Sequence, residues 1–163
     1  MQDDQIALLE ASFAEVSVHR DAASVLFYER LFVHDPALKR LFGDTDMTGQ
    51  GEKLFAALGL VVTSLRSLDK VVPMLEQLAV RHLHYGVRDA HYATVGAALI
   101  ETLSLYFGRR FSMDLRRAWS DAYEAVAGVM IAAAHRAAAV HGVAAEGEGA
   151  STIFSRPASA GTL

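Results

Sequence analysis

His82 closes an apolar helical stripe, Leu75, Leu78, Ala79 and then His82, and the stop Tyr85-Gly86-Val87 follows at once. An imidazole placed where a greasy helix face meets its terminus suits an iron-bearing macrocycle. The face covers the apolar ring, and a neutral nitrogen supplies an axial ligand. Two more polar residues lie in apolar patterns: Tyr28, within Val25, Tyr28, Leu31 and Phe32, read as inward-facing, and Gln50, which opens the stripe Gln50, Leu54, Leu58 and Val61. A buried tyrosine, glutamine or histidine must find a partner, because an unpaired buried polar group costs roughly 1–3 kcal/mol. Taken singly, each also fits an ordinary satisfied core position.

Other chemistry is poorly represented. The pair in His82-Leu83-His84 is spaced i, i+2, which on a helix points the two rings to different faces. His19, His34, His135 and His141 have no constellation around them in the sequence, and the acidic residues are dispersed rather than paired. No glycine-rich phosphate loop or serine nucleophile motif is present. There is no cysteine, which removes disulfides, thiolate nucleophiles and thiolate metal sites.

The elements that must position these residues are helical throughout. Apolar residues recur at three- and four-residue spacing, and alternating strand-like stretches are absent. The spacing predicts helices over 4–18, 21–34, 36–42, 48–67, 73–84, 89–107 and 112–141, too unequal for a simple four-helix bundle. Asp35-Pro36 reads as a cap and first helical position, and Pro73 as the opening of the helix that ends near His82. Asp89 and Ser112 are expected to be further N-caps. Gly86 and Gly108 fall just past helix ends, where positive φ is often required. The expected organisation is one all-α domain over 1–143 and a flexible tail over 144–163, where small and polar residues are broken by Gly147, Gly149, Pro157 and Gly161.

With 163 residues, 52% of them apolar and 21% charged, the chain is large enough to bury a sizeable core. The formal charge of −4 and the scattered lysines and arginines disfavour nucleic acid as a partner. No run of apolar residues reads as a membrane span, and the acidic start Met1-Gln2-Asp3-Asp4 does not resemble a signal peptide. A cytoplasmic location is the expectation.

An ordered set of motifs over roughly residues 4 to 135 resembles the single-domain bacterial globins and the haem domain of flavohaemoglobins. Leu26-Phe27-Tyr28-Glu29-Arg30-Leu31-Phe32 is similar to that family's second helix with its distal tyrosine. Asp35-Pro36 with Leu38-Lys39-Arg40-Leu41-Phe42 resembles the short third helix that ends in a phenylalanine packed on haem. Gln50, just before Glu52-Lys53-Leu54-Phe55, matches the distal glutamine, and Arg81-His82 with Tyr85-Gly86-Val87 the proximal histidine segment. His91-Tyr92-Ala93-Thr94-Val95-Gly96 and Ala118-Trp119 with Ala122-Tyr123 resemble the last two long helices.

The resemblance implies a globin fold around haem b, with His82 as the metal ligand and its second ring nitrogen donating to a backbone carbonyl, that of Leu78 being the candidate. It implies that Phe42 and Leu54 press on the macrocycle and that Val87, Tyr92 and Val95 line the proximal side. Lys53, Arg81 and His84 are candidates to meet propionates, with a plain solvated position as the alternative. Tyr28 and Gln50 would face the gas, and no histidine occupies the matching distal position. The implied ligands are dioxygen, carbon monoxide and nitric oxide, and conversion of nitric oxide to nitrate would draw electrons from an external reductase. One departure matters: the glutamate that backs the proximal histidine in flavohaemoglobins falls at Ala134, and Glu124 lies nearly three turns earlier. The electronic push toward iron should therefore be weaker. An alternative role is a haem-based gas sensor that acts through a partner protein.

Overall fold

The structure, a computed structural model, describes residues 1–141. Seven α-helices follow in order: α1 Asp3–Ser17, α2 Arg20–His34, α3 Lys39–Phe42, α4 Met47–Thr63, α5 Val72–His84, α6 Asp89–Phe107 and α7 Met113–His141. Short 3-10 turns cover Pro36–Leu38, Leu65–Lys70 and Gly108–Arg110. The expected tail over 144–163 lies outside the described residues.

Local chemistry accounts for most of the boundaries. Asp35 accepts from the Ala37 amide at 3.1 Å, Asp46 from Thr48 at 3.1 Å, and Ser112 from Leu115 at 3.1 Å. Gly43, Gly86 and Gly108 take φ of 46°, 88° and 57° at chain reversals, a region open to glycine. Three expectations need correction. Asp89 is the first residue of α6 rather than its cap; His91 Nδ1 accepts from the Arg88 amide at 2.9 Å and closes that end instead. The segment 36–42 divides into a 3-10 turn and the four-residue α3. The helix expected over 48–67 stops at Thr63, whose hydroxyl bonds back to the Gly59 carbonyl at 2.8 Å. The chain then bends, with Ser67 at φ −147° and ψ 48°.

Two apolar clusters form the interior. One gathers Leu9, Val16, Phe27, Tyr28, Leu31, Leu99, Leu103 and Trp119 from α1, α2, α6 and α7. Within it, Trp119 Nε1 donates to Ser12 Oγ at 3.0 Å, so α7 is tied to α1 without a stranded indole N–H. The other gathers Leu75, Ala79, Tyr92, Ala127, Met130 and Ala133, where α5 packs on α7. α4 packs on α1 and α2 and α5 on α7, and α4 and α5 make no extensive contact with each other. They come together only where Leu60 and Val61 join the second cluster, while Leu54 and Leu58 belong to the first. The apolar face of α4 is therefore left partly uncovered, and we infer a cleft there, toward α5: Leu54, Leu58 and Val61 are only half-buried.

Candidate functional site

On one side of the cleft, α2 and α4 cross at Ser24 and Gly51. A Cβ at Gly51 would come within 2.8 Å of Ser24 Cβ, so this approach requires glycine. One turn further along α2 lies Tyr28, and beside Gly51 lies Gln50; the crossing brings the Gln50 side chain close to the Tyr28 hydroxyl. Tyr28 is 7% exposed. Burial pushes its phenol up to about 12, against the opposing effect of the Gln50 hydrogen bond. The hydroxyl thus keeps its proton and remains a donor across the physiological range. Rings of Phe27, Phe42 and Phe32 surround it at centroid distances of 5.0, 5.5 and 6.2 Å, the first two edge to face.

Across the cleft, α5 divides its apolar residues by face. Leu75 and Ala79 are buried against α7, whereas Leu78 and His82 are half-buried on the adjoining face. His82 Nδ1 lies 2.8 Å from the Leu78 carbonyl oxygen. A carbonyl only accepts, so Nδ1 carries the hydrogen and Nε2 keeps a free lone pair. Burial lowers the pKa of His82, the Leu78 bond works against that, and the nearby Arg81 charge adds to the lowering. The ring is therefore neutral near pH 7, the state in which imidazole binds a metal. The Val87 amide donates to the His82 carbonyl at 3.0 Å, which fixes the turn beneath the ring.

Tyr92, in the first turn of α6, belongs to the second cluster and is 8% exposed. Its hydroxyl is buried with no acceptor among the described residues. Burial, helped by Asp89, pushes its phenol up to about 12. Ala134 is buried and Glu124 exposed, so Glu124 stays on the surface of α7.

The structure thus brings Tyr28, Gln50 and Phe42 together on one wall, and His82, Val87 and Tyr92 into the other. Leu54 and Val95 are partly buried and pack against the cluster that contains Tyr28. Lys53 and His84 are exposed. Sequence reasoning missed the Ser24–Gly51 crossing and the Gly96–Tyr123 contact described below. The available signal was glycine inside otherwise apolar helices, which marks close backbone approach.

A flat apolar ring with a metal at its centre fits these residues. α4 and α5 carry half-buried apolar side chains, α5 presents an imidazole with a free nitrogen, and the α2–α4 crossing presents two hydrogen-bonding groups. Among the described residues no cluster of three His, Asp or Glu side chains offers a competing metal site. No helix among them is long and apolar enough to cross a membrane.

Known proteins resemble this chain in sequence and in fold. The globin family model matches residues 25–130. The chain is 32% identical over 128 residues to the flavohemoprotein of Vibrio cholerae, covering 77% of this chain and 31% of that protein. It is 30% identical over 129 residues to the flavohemoprotein of Chromobacterium violaceum, again covering 77% and 31%. It thus spans about a third of the length of these curated relatives. A bacterial globin from Campylobacter jejuni superposes with a TM-score of 0.75 at 20% identity, covering 83% of this chain and 98% of that one. An engineered carbene transferase from Rhodothermus marinus, provisionally assigned as a nitric oxide dioxygenase, superposes with a TM-score of 0.77 at 23% identity, covering 87% and 99%. The chain belongs to the globin family and has the all-α globin fold.

Proposed function

We propose that this protein holds haem b in the cleft between α4 and α5, with His82 as the residue that would bind its iron, and reversibly binds dioxygen, carbon monoxide and nitric oxide. The observations that support the proposal are an oriented, neutral imidazole on α5 and two donor side chains brought together where α2 crosses α4. His82 commits Nδ1 to Leu78 and leaves Nε2 free, and Tyr28 and Gln50 lie side by side where α2 meets α4. Haem supplies the iron centre at which a diatomic gas binds.

The chain's own residues determine how long the gas stays. Tyr28 offers a proton that burial holds in place, and Gln50 offers amide hydrogens beside it. Each hydrogen bond to the ligand is worth about 1–2 kcal/mol, so two slow its escape by on the order of tens- to thousandfold. Phe27, Phe32 and Phe42 close around Tyr28 and keep competing water from it. That combination favours retention over easy unloading. On the other side, the Leu78 bond orients the His82 ring and raises its basicity. Lys53 and His84, both exposed, are placed in this reading at the mouth of the cleft to meet propionates.

Oxidation of nitric oxide to nitrate belongs to the same reading, with electrons from a separate reductase; its support is the likeness to flavohemoproteins. With Ala134 where a carboxylate would stand and the Tyr92 hydroxyl lacking an acceptor, the proximal push is weak. Binding rather than rapid turnover is thus the main activity. Absorption spectra of the purified protein test the proposal. A Soret band that shifts on reduction and on adding carbon monoxide is expected, with weak haem retention in His82→Ala. Release of dioxygen should be at least tenfold faster in Tyr28→Phe. A colourless protein that cannot be reconstituted rejects the proposal, and wild-type haem affinity in His82→Ala rejects its ligand.

A further inference from the structure

Among the described residues, Tyr123 on α7 packs against both apolar clusters. Its hydroxyl donates to the Tyr92 carbonyl, and its ring lies against Gly96 one turn further along α6. The side chain therefore spans one turn of α6, its hydroxyl at Tyr92 and its ring at Gly96. The approach is built for that purpose: a Cβ at Gly96 would come within 2.6 Å of the Tyr123 ring. A phenol so deeply set must satisfy its hydrogen, and many acceptors would serve. The one taken holds the turn that carries Tyr92 into the second cluster and Val95 into the first.

We propose that Tyr123 is a positioning residue for the bound haem. By pinning the turn 92–96 of α6 to α7, it sets the height of the Tyr92 and Val95 side chains, and so the seat on which the macrocycle and His82 settle together. The inference rests on the haem-binding reading above. It assigns no contact between Tyr123 and the cofactor, and it requires the hydroxyl as well as the ring.

Tyr123→Phe keeps the ring and removes the bond. In the ferrous holoprotein, resonance Raman should show a shifted iron–imidazole stretch, and haem should dissociate about five- to tenfold faster, the equivalent of one net hydrogen bond. Gly96→Ala, which forces the ring away, should shift the stretch as well. Tyr106→Phe is the control, because it removes a hydroxyl that reaches the Glu15 carbonyl away from the cleft; it should leave both readings unchanged. A wild-type stretch and wild-type haem loss in Tyr123→Phe overturn the inference, even if its melting temperature falls. Amide exchange at Gly96 in haem-free protein separates the two levels. Faster exchange in Tyr123→Phe is expected, and equal exchange shows that the pin is not there. A wild-type chain that takes up no haem instead removes the reading beneath it.

Discussion

Three of the five tyrosines, Tyr28, Tyr92 and Tyr123, are held protonated by burial, the first two with pKa values pushed from 10.0 to about 12. The sign of the consequence is fixed by linkage. Above pH 10 the unfolded chain gives up these protons and the folded chain keeps them. The stability they contribute is complete below 10 and is lost as pH rises from there through about 12. An alkaline titration should show these three phenols ionising only as helical circular dichroism collapses. Their appearance as phenolates near pH 10 with the helices intact would contradict the burial described for them. The same physics makes Tyr28 a dependable donor: its proton is not in play at any pH the cell reaches.

Between elements, the α2–α4 crossing determines whether Tyr28 and Gln50 can meet. Gly51→Ala would gain about 1 kcal/mol of helix propensity but place a methyl against the Ser24 Cβ, which is backbone-anchored and cannot rotate away. Overpacking of this kind costs about 1–3 kcal/mol, so a net loss of up to about 2 kcal/mol is expected in denaturant unfolding. As α4 moves outward, Gln50 leaves Tyr28, and dioxygen release should quicken. Unchanged release with full stability would mean that the crossing has slack. The face of α2 also differs from its reading in the sequence. Val25 is 60% exposed, and the buried side runs through Ala23, Ser24, Phe27, Tyr28 and Leu31. An apolar residue type could not reveal its direction here, because Phe27, and not Val25, shares a face with Ala23 and Leu31 at four-residue spacing. Likewise nothing in Ser64-Leu65-Arg66-Ser67 is a glycine or proline, so the end of α4 had no local marker.

At the scale of the whole molecule, the two apolar clusters meet through few residues, with Tyr123 common to both. A ligand that covers the half-buried faces of α4 and α5 would bind the native state alone and raise its stability by mass action. The holoprotein should melt well above the haem-free chain. In the haem-free chain, amides of α4 should exchange ahead of those in α6 and α7, which are packed into the clusters on several sides. Equal melting temperatures and uniform exchange would show that the cleft is stable without an occupant.

The sequence by itself determined the helical class, most helix limits, and the candidates His82, Tyr28 and Gln50, because periodicity, caps and misplaced polar residues are local properties of the chain. It also carried the bond from His82 to Leu78, since residues four apart on a helix must adjoin. Tertiary structure alone decided that Gln50 comes up beside Tyr28, that Val95 packs against the cluster containing Tyr28, and that Tyr123 reaches the Tyr92 carbonyl. It also supplied partners to histidines that looked isolated: His34 pairs with Glu101 and His135 with Asp89, each at 2.6 Å. These contacts join residues from different helices, and their existence depends on crossing distances that glycines such as Gly51 and Gly96 permit. No helical period encodes how closely two helices approach.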